Sequence, residues 1–396
     1  MKICLDTTPV TQKPSGVGLY ILNLINELIQ QKIDKDIEMS LVYQPKFANW
    51  LRGSWQFPDQ LQPYVQKQIL PIPVRLSNLL TRPPTGLTGK LLANYLGSPD
   101  IVHGTNYSVH PLSHSARIMT IYDVSFVLYP EYATSVSKAY FNAVKKCLKW
   151  TDLIITISES SKRDIVNCFQ VPERIVWVTP LASRYPMMIN TAEQIVSSKT
   201  RLHAFCKQGV SRNFDFEKPY LLFVGTLEPR KNITAIVQAF NQLKSEQKIE
   251  HQLLLVGRKG WLYGPILEDI NQSPYQGSIH QLDYVSESLM ADLYRSATAF
   301  VYPSHYEGFG LPVLEAMSLG CPVVSSNTSS IPEVAGNAAI LVPPDDTDAL
   351  ADALYQLIDM PSLRQHYVQA GYEQAEKFSW KKTAQSTIEA YYSLMS

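Results

Sequence analysis

Short apolar runs rich in β-branched and aromatic residues alternate with longer stretches of helical period along most of this chain, the pattern of parallel α/β sheets. In the first half the runs Ile3–Asp6, Glu38–Tyr43, Ile101–Gly104, Ile118–Tyr122, Leu153–Ser158 and Ile175–Thr179 predict strands, and Leu19–Gln30 and Ser137–Trp150 predict helices between them. Residues 47–99, rich in Pro, Gln and aromatics, are weakly periodic and predict loops and short helices. The alternation breaks after Pro180, where 183–215 reads as a helix and connector. It restarts with strand candidates Tyr220–Gly225, Leu253–Gly257, Ile279–Val285, Ala299–Pro303 and Val323–Ser325. From Thr347 the tail is helical, interrupted near Phe378-Ser379-Trp380, where a last helix should begin. The pattern predicts two doubly wound domains, 1–182 and 216–378. Open sheets of this kind bind ligands at the carboxyl ends of their strands, and two that face one another would enclose a central cleft.

Composition narrows the function classes. With 45% hydrophobic and 18% charged residues, the 396-residue chain has apolar material for more than one core. Basic and acidic side chains balance at 35 each, so no whole-chain field argues for nucleic acid. Residues 1–182 carry about five excess positive charges and 183–396 about five excess negative ones. That mild asymmetry fits a solvated surface, and also a peripheral membrane contact through the N-terminal half. Cys4, Cys147, Cys168, Cys206 and Cys321 are odd in number, scattered and never in C-x-x-C spacing, as expected of reduced core thiols. The first residues lack the apolar core of a signal peptide, and no apolar run approaches the ~20 residues a spanning helix needs. The expected location is the cytoplasm.

Two segments carry the chemistry. Gly225-Thr226-Leu227-Glu228-Pro229-Arg230-Lys231-Asn232 follows an apolar strand directly. Adjacent cations leaving a strand end, with Asn232 placed to cap the next helix, suit a diphosphate. By themselves they suit a solvated pair beside a helix cap equally well. In Pro303-Ser304-His305-Tyr306-Glu307-Gly308-Phe309-Gly310-Leu311-Pro312-Val313-Leu314-Glu315-Ala316, the glycines break any continuous helix. Glu307 is then expected in a tight loop and Glu315 in the first turn of a helix that Pro312 helps to start. Amides near Gly310 and Leu311 would make an anion site. Taken singly, Glu315 could instead be a helix-dipole partner and Glu307 an ordinary loop carboxylate.

Together these segments resemble the retaining glycosyltransferases of family 4, which have the GT-B fold, and the likeness covers most of the chain. The family's E-x7-E element is Glu307 to Glu315, and its Arg-Lys pair is Arg230 and Lys231. Ser15-Gly16-Val17-Gly18 looks like the family's N-terminal glycine loop, and Asp100-Ile101-Val102-His103-Gly104 and Ile157-Ser158-Glu159-Ser160-Ser161 match its pattern. Asp283-Tyr284-Val285-Ser286 resembles the segment that contacts the nucleobase. The resemblance implies that Glu315 holds the ribose hydroxyls, Glu307 the donor sugar's hydroxyls, and Arg230 and Lys231 the diphosphate. Gly16 and Gly18 would admit backbone to the phosphate and acceptor side. Gly225, Val285, Phe309, Gly310 and Leu311 would complete the donor contacts, and residues 379–396 would complete the first domain.

One position departs from the family. In Thr120-Ile121-Tyr122-Asp123-Val124-Ser125-Phe126, Tyr122 stands where a His commonly precedes the Asp, which leaves the donor sugar open. Asp123 stays a candidate, Tyr122 a weaker one, and His103 at another strand end reads more readily as structural. No histidine or acidic spacing points to a metal, and Asp346-Thr347-Asp348 reads as a helix cap. The expected function is metal-independent, retaining transfer from a nucleoside-diphosphate sugar to a hydroxyl acceptor, with no further cofactor. GDP-mannose is the first choice of donor and a UDP-sugar the next, the acceptor being a saccharide or lipid-linked saccharide in polysaccharide or glycolipid synthesis. The alternatives are a sugar-nucleotide epimerase of the same fold and a non-catalytic sugar-nucleotide-binding protein.

Overall fold

The computed structural model describes residues 1–12, 16–30, 37–45, 47–53, 55–64, 66–73, 87–132, 135–187, 191–207, 214–283 and 285–395. Its contacts divide the chain into two units, Met1–Leu181 with Trp380–Ser396, and Ala182–Ser379.

The first unit is built on a seven-stranded parallel sheet of β1 (Lys2–Asp6), β2 (Glu38–Tyr43), β3 (Lys67–Ile69), β4 (Ile101–Gly104), β5 (Ala116–Thr120), β6 (Leu153–Thr156) and β7 (Val176–Val178), in the order β3-β2-β1-β4-β5-β6-β7. The β3 strand falls in the weakly periodic region expected to hold loops and short helices. At three residues on a sheet edge it is too short to show a period. The terminal helix Trp380–Tyr392 closes this unit. Its Ile388, Ala390 and Tyr391 share one apolar cluster with Ile3, Ile101, Ile118, Leu153 and Ile155. Polar ties join it to the end of β7: Thr383 Oγ1 donates to Pro180 O at 2.6 Å, Ser386 Oγ donates to Val178 O at 3.3 Å, and Trp177 Nε1 donates to Ser386 Oγ at 3.1 Å.

The second unit has a six-stranded parallel sheet of β8 (Tyr220–Val224), β9 (Gln252–Val256), β10 (Ile279–Leu282), β11 (Ala299–Tyr302), β12 (Val323–Ser326) and β13 (Ala339–Val342), in the order β10-β9-β8-β11-β12-β13. Every residue of β8, β9, β11 and β12 is buried, because crossover helices cover both faces of a parallel sheet and leave no polar face to alternate with. In both sheets the strand order reverses beside the first strand, between β1 and β4 and between β8 and β11, so each unit is Rossmann-like with its switch point there.

Residues 183–215 do more than connect. The Ala192–Lys207 helix belongs to the second unit and lies against the Glu287–Ser296 helix. There the buried Asp292 carboxylate accepts from Ser198 Oγ at 2.7 Å and pairs with Arg201 at 2.6 Å. A single buried acid on a facing helix provides the anchor, and nothing in the periodicity of 183–215 reveals it.

Candidate functional site

The β8–β11 switch point of the second unit gathers the strongest chemistry. β8 ends at Val224 and β11 at Tyr302, and the loops beyond both carboxyl ends carry charge. Gly225 and Gly257 end adjacent strands in very close approach. A Cβ on Gly257, whose φ is +151°, would stand 1.9 Å from Gly225 O, so only glycine lets these two turns pack. The chain then forms a short 3-10 turn, Pro229–Lys231, before the Ile233–Glu246 helix. Asn232 sits at that helix's N-cap position in the left-handed region. Contrary to expectation its side chain does not cap the helix, because its Nδ2 donates to Pro344 O at 2.6 Å.

This turn lays Arg230 and Lys231 against Glu307. Lys231 Nζ lies 2.6 Å from Glu307 Oε1 and 2.6 Å from Tyr302 Oη, and Arg230 Nη1 lies 3.2 Å from Glu307 Oε2. Arg230 also pairs with Glu228 at 2.6 Å and donates to Tyr306 O. The loop backbone is pinned in turn: Glu307 N–H donates to Ser329 Oγ at 2.9 Å, and Ser330 Oγ donates to Glu307 O at 2.8 Å. Glu307 and Lys231 are both buried. Burial pushes the Glu307 carboxyl up, but Lys231 and Arg230 outweigh it and hold the group at about 2. Burial lowers the Lys231 ammonium, and Glu307 offsets part of that fall. The result is a carboxylate fixed in its charged form between two cations.

Glu315 occupies a second position on the same loop–helix unit. The helix runs Leu311–Ser318 from a left-handed Gly310 (φ 100°), where a Cβ would meet Ile331 Cδ1 at 2.6 Å. Glu315 is therefore in the second turn and not the first, too far along to serve the helix N-terminus as a dipole partner. It is buried, and Arg184 forks onto it with Nε to Oε1 at 2.6 Å and Nη2 to Oε2 at 3.3 Å. Burial raises the Glu315 carboxyl, with Arg184 opposing. Of the remaining donor-side candidates, Phe309 is a core ring set edge-on to Phe378 at 5.7 Å, and Val285 is buried. Leu311 opens the helix and so presents an amide with no intrahelical acceptor. Tyr284 lies outside the described residues.

The first unit treats its candidates differently. Tyr122 is buried at the end of β5. Its hydroxyl donates to Thr105 O at 2.7 Å, and its ring meets Tyr20 and Tyr107 edge-on at 5.5 and 5.8 Å. Asp123 Oδ1 accepts from Ser125 N and Oγ at 2.9 and 2.7 Å, an Asx turn that starts the Ser125–Leu128 helix. His103 is a structural residue. Fully buried, it bonds Tyr391 Oη at 2.8 Å and Thr120 Oγ1 at 2.7 Å, and burial lowers its pKa to about 3, which keeps it neutral. Gly16 opens the Gly16–Gln30 helix with open space where a Cβ would point, and Gly18 is buried in it. Ser15 lies outside the described residues.

Sequence reasoning missed Tyr302, Ser329, Ser330 and Arg184. The first is an inward strand residue like any other. The other three sit in segments whose local pattern is silent about a partner far along the chain.

Two Rossmann-like parallel sheets, the second with paired cations and a buried carboxylate at its switch point, define the GT-B class of fold. The signature of the group 1 glycosyl transferases covers residues 208–374, and that of glycosyltransferase family 4 covers residues 14–181. O-antigen chain mannosyltransferase B of Escherichia coli is 31% identical over 99% of both chains. Among solved structures, sucrose-phosphate synthase from Thermosynechococcus elongatus superposes with a TM-score of 0.73 at 19% identity, covering 100% of this chain and 99% of that one. HepE from Anabaena, in complex with UDP, gives 0.69 at 14% identity over 99% of both chains. The chain belongs to the group 1 glycosyltransferases of family 4, and it is a glycosyltransferase. Among the described residues no helix is long and apolar enough to cross a membrane.

Proposed function

We propose that this chain transfers mannose from GDP-mannose to a hydroxyl of a growing saccharide, with retention of anomeric configuration and without a metal ion. The observation that carries the proposal is the charged triad at the β8–β11 switch point, Glu307 held ionised between Lys231 and Arg230. A diphosphate leaving group gains charge as the glycosidic bond stretches. Two cations already gathered at one spot stabilise that charge without reorganising. Glu307, an acceptor with its charge secured, takes hydroxyl hydrogens of the donor sugar and keeps Lys231 protonated despite its burial. Glu315 takes the ribose hydroxyls, and the amide at Leu311 faces the anion. The acceptor approaches the face the nucleotide leaves, and its proton goes to the departing phosphate oxygen. Mannose is favoured over other sugars because the E. coli relative that matches 99% of the chain is an O-antigen chain mannosyltransferase.

The test is a transfer assay on the purified chain with GDP-mannose, GDP-glucose, UDP-glucose and UDP-galactose, a mannose-terminated oligosaccharide as acceptor, and NMR of the product's anomeric proton. GDP-mannose should give an α-linked product. A β-linked product refutes retention, and a UDP-sugar used tenfold faster than GDP-mannose refutes the donor.

A further inference from the structure

Arg184 belongs to none of the motifs in this chain, yet it makes the tightest contact to the carboxylate assigned to ribose. It lies three residues beyond the end of the first unit and inside the second. Its guanidinium is held from three sides: the two-point fork onto Glu315, the Glu287 carboxylate at 4.0 Å, and the Tyr185 ring, 5.4 Å from its carbon. Glu287 opens the Glu287–Ser296 helix directly after the Asp283–Ser286 segment, so one cation links the start of that helix to the second turn of the Leu311–Ser318 helix. The exposures are unequal: the Glu315 side chain is 2% exposed and that of Arg184 35%.

The geometry points to Arg184 as the positioning residue of the ribose subsite. An ionised carboxylate offers about four lone-pair positions. The fork takes one on each oxygen and the buried Tyr294 hydroxyl bears on the same carboxylate, which locks its plane and leaves the remaining position for a ribose hydroxyl. A planar guanidinium does this and an ammonium does not. Without Arg184, Glu315 is a buried carboxyl with no cation on it. Such a group takes up a proton or turns away, and a protonated carboxyl no longer accepts from two hydroxyls. Arg184 thus acts on donor affinity through Glu315, an inference that rests on the proposed donor site.

The experiment measures Kd for GDP and for 2′,3′-dideoxy-GDP (or UDP and its dideoxy analogue, if UDP binds the wild type more tightly) with wild type, Arg184→Met, Arg184→Lys and Glu315→Gln. Wild type should prefer the ribose form, and Glu315→Gln should abolish that preference. Arg184→Met should reduce the preference at least tenfold while changing dideoxy binding by less than twofold, and Arg184→Lys should recover only part. Equal loss for both ligands in Arg184→Met would make Arg184 merely structural, and tighter GDP binding would make it a block; either overturns the inference. A preference that persists in Arg184→Met but vanishes in Glu315→Gln also overturns it, with the donor site intact. A preference that survives Glu315→Gln, or no binding of GDP or UDP to wild type, refutes the donor site itself.

Discussion

Lys231 and Glu307 lie 76 positions apart in sequence and 2.6 Å apart in space, both buried, so removing one must leave the other's charge exposed to a low dielectric. Leaving one partner of such a pair typically costs about 3–5 kcal/mol, against about 0–1 kcal/mol for a surface pair. The two ends are unequal here. Lys231→Met leaves Glu307 its second cation, Arg230 at 3.2 Å, so the cost should fall near ~3 kcal/mol. Glu307→Leu leaves Arg230 its pair with Glu228 at 2.6 Å but strips Lys231 of the only carboxylate, among the described residues, within its hydrogen-bond reach, which places it between ~3 and ~5 kcal/mol. Lys231 limits that penalty, because it can shed its proton at about 1.4 kcal/mol per pKa unit lost. The double variant Lys231→Met/Glu307→Leu removes both charges and should be much less destabilised than the sum of the two singles, a coupling of several kcal/mol. Hydrogen exchange of the β11 amides Phe300–Tyr302 under low urea follows unfolding of the second unit, whatever the first unit does. Transfer activity should be lost in all three variants, including the double, which separates chemistry from folding. Single-variant costs of 1 kcal/mol or less, or a double variant that equals their sum, would refute a buried, coupled pair.

Further predictions follow from the same geometry. Glu307 titrates at about 2 against an ordinary value of 4.5, so its depressed pKa contributes stability that is full above the unfolded value and lost as pH falls through about 2. That contribution is on the order of 3 kcal/mol. The urea midpoint of wild type should therefore fall more steeply between pH 5 and pH 2.5 than that of Glu307→Leu, and parallel curves would refute the assignment. Gly257→Ala forces a Cβ to 1.9 Å from Gly225 O and should cost about 3 kcal/mol or more, read as a lower melting temperature. His103→Leu leaves the Tyr391 and Thr120 hydroxyls without their buried partner, at about 1–3 kcal/mol each, and should lower stability with kcat unchanged. A fall in kcat at full folding would return His103 to the site.

The sequence was enough for the class of fold and for the family, and it singled out the candidate residues at the end of β8 and β11. Parallel strands buried on both faces read as short apolar runs, so β1, β4, β8, β9 and β11 were visible within a residue or two, and β2 through its apolar Leu41-Val42-Tyr43 end. Glu307, Arg230 and Lys231 stood out as candidates because their two segments together match a family pattern; taken singly, each also fitted an ordinary surface charge. The short edge strands β3 and β13 escaped: β3 has three residues and no period, and β13 is an apolar run of only four, too short to tell from a stretch of loop or helix. Tertiary structure alone decided what each polar group does. It put Asn232 on Pro344 instead of its own helix, gave the Tyr122 hydroxyl to Thr105 O, and made His103 a neutral core residue. It also brought Arg184 onto Glu315 across 131 positions. Local pattern reports how a segment satisfies its own backbone. The partner of a buried side chain is set by which strands the topology makes neighbours, and that information is spread over the whole chain.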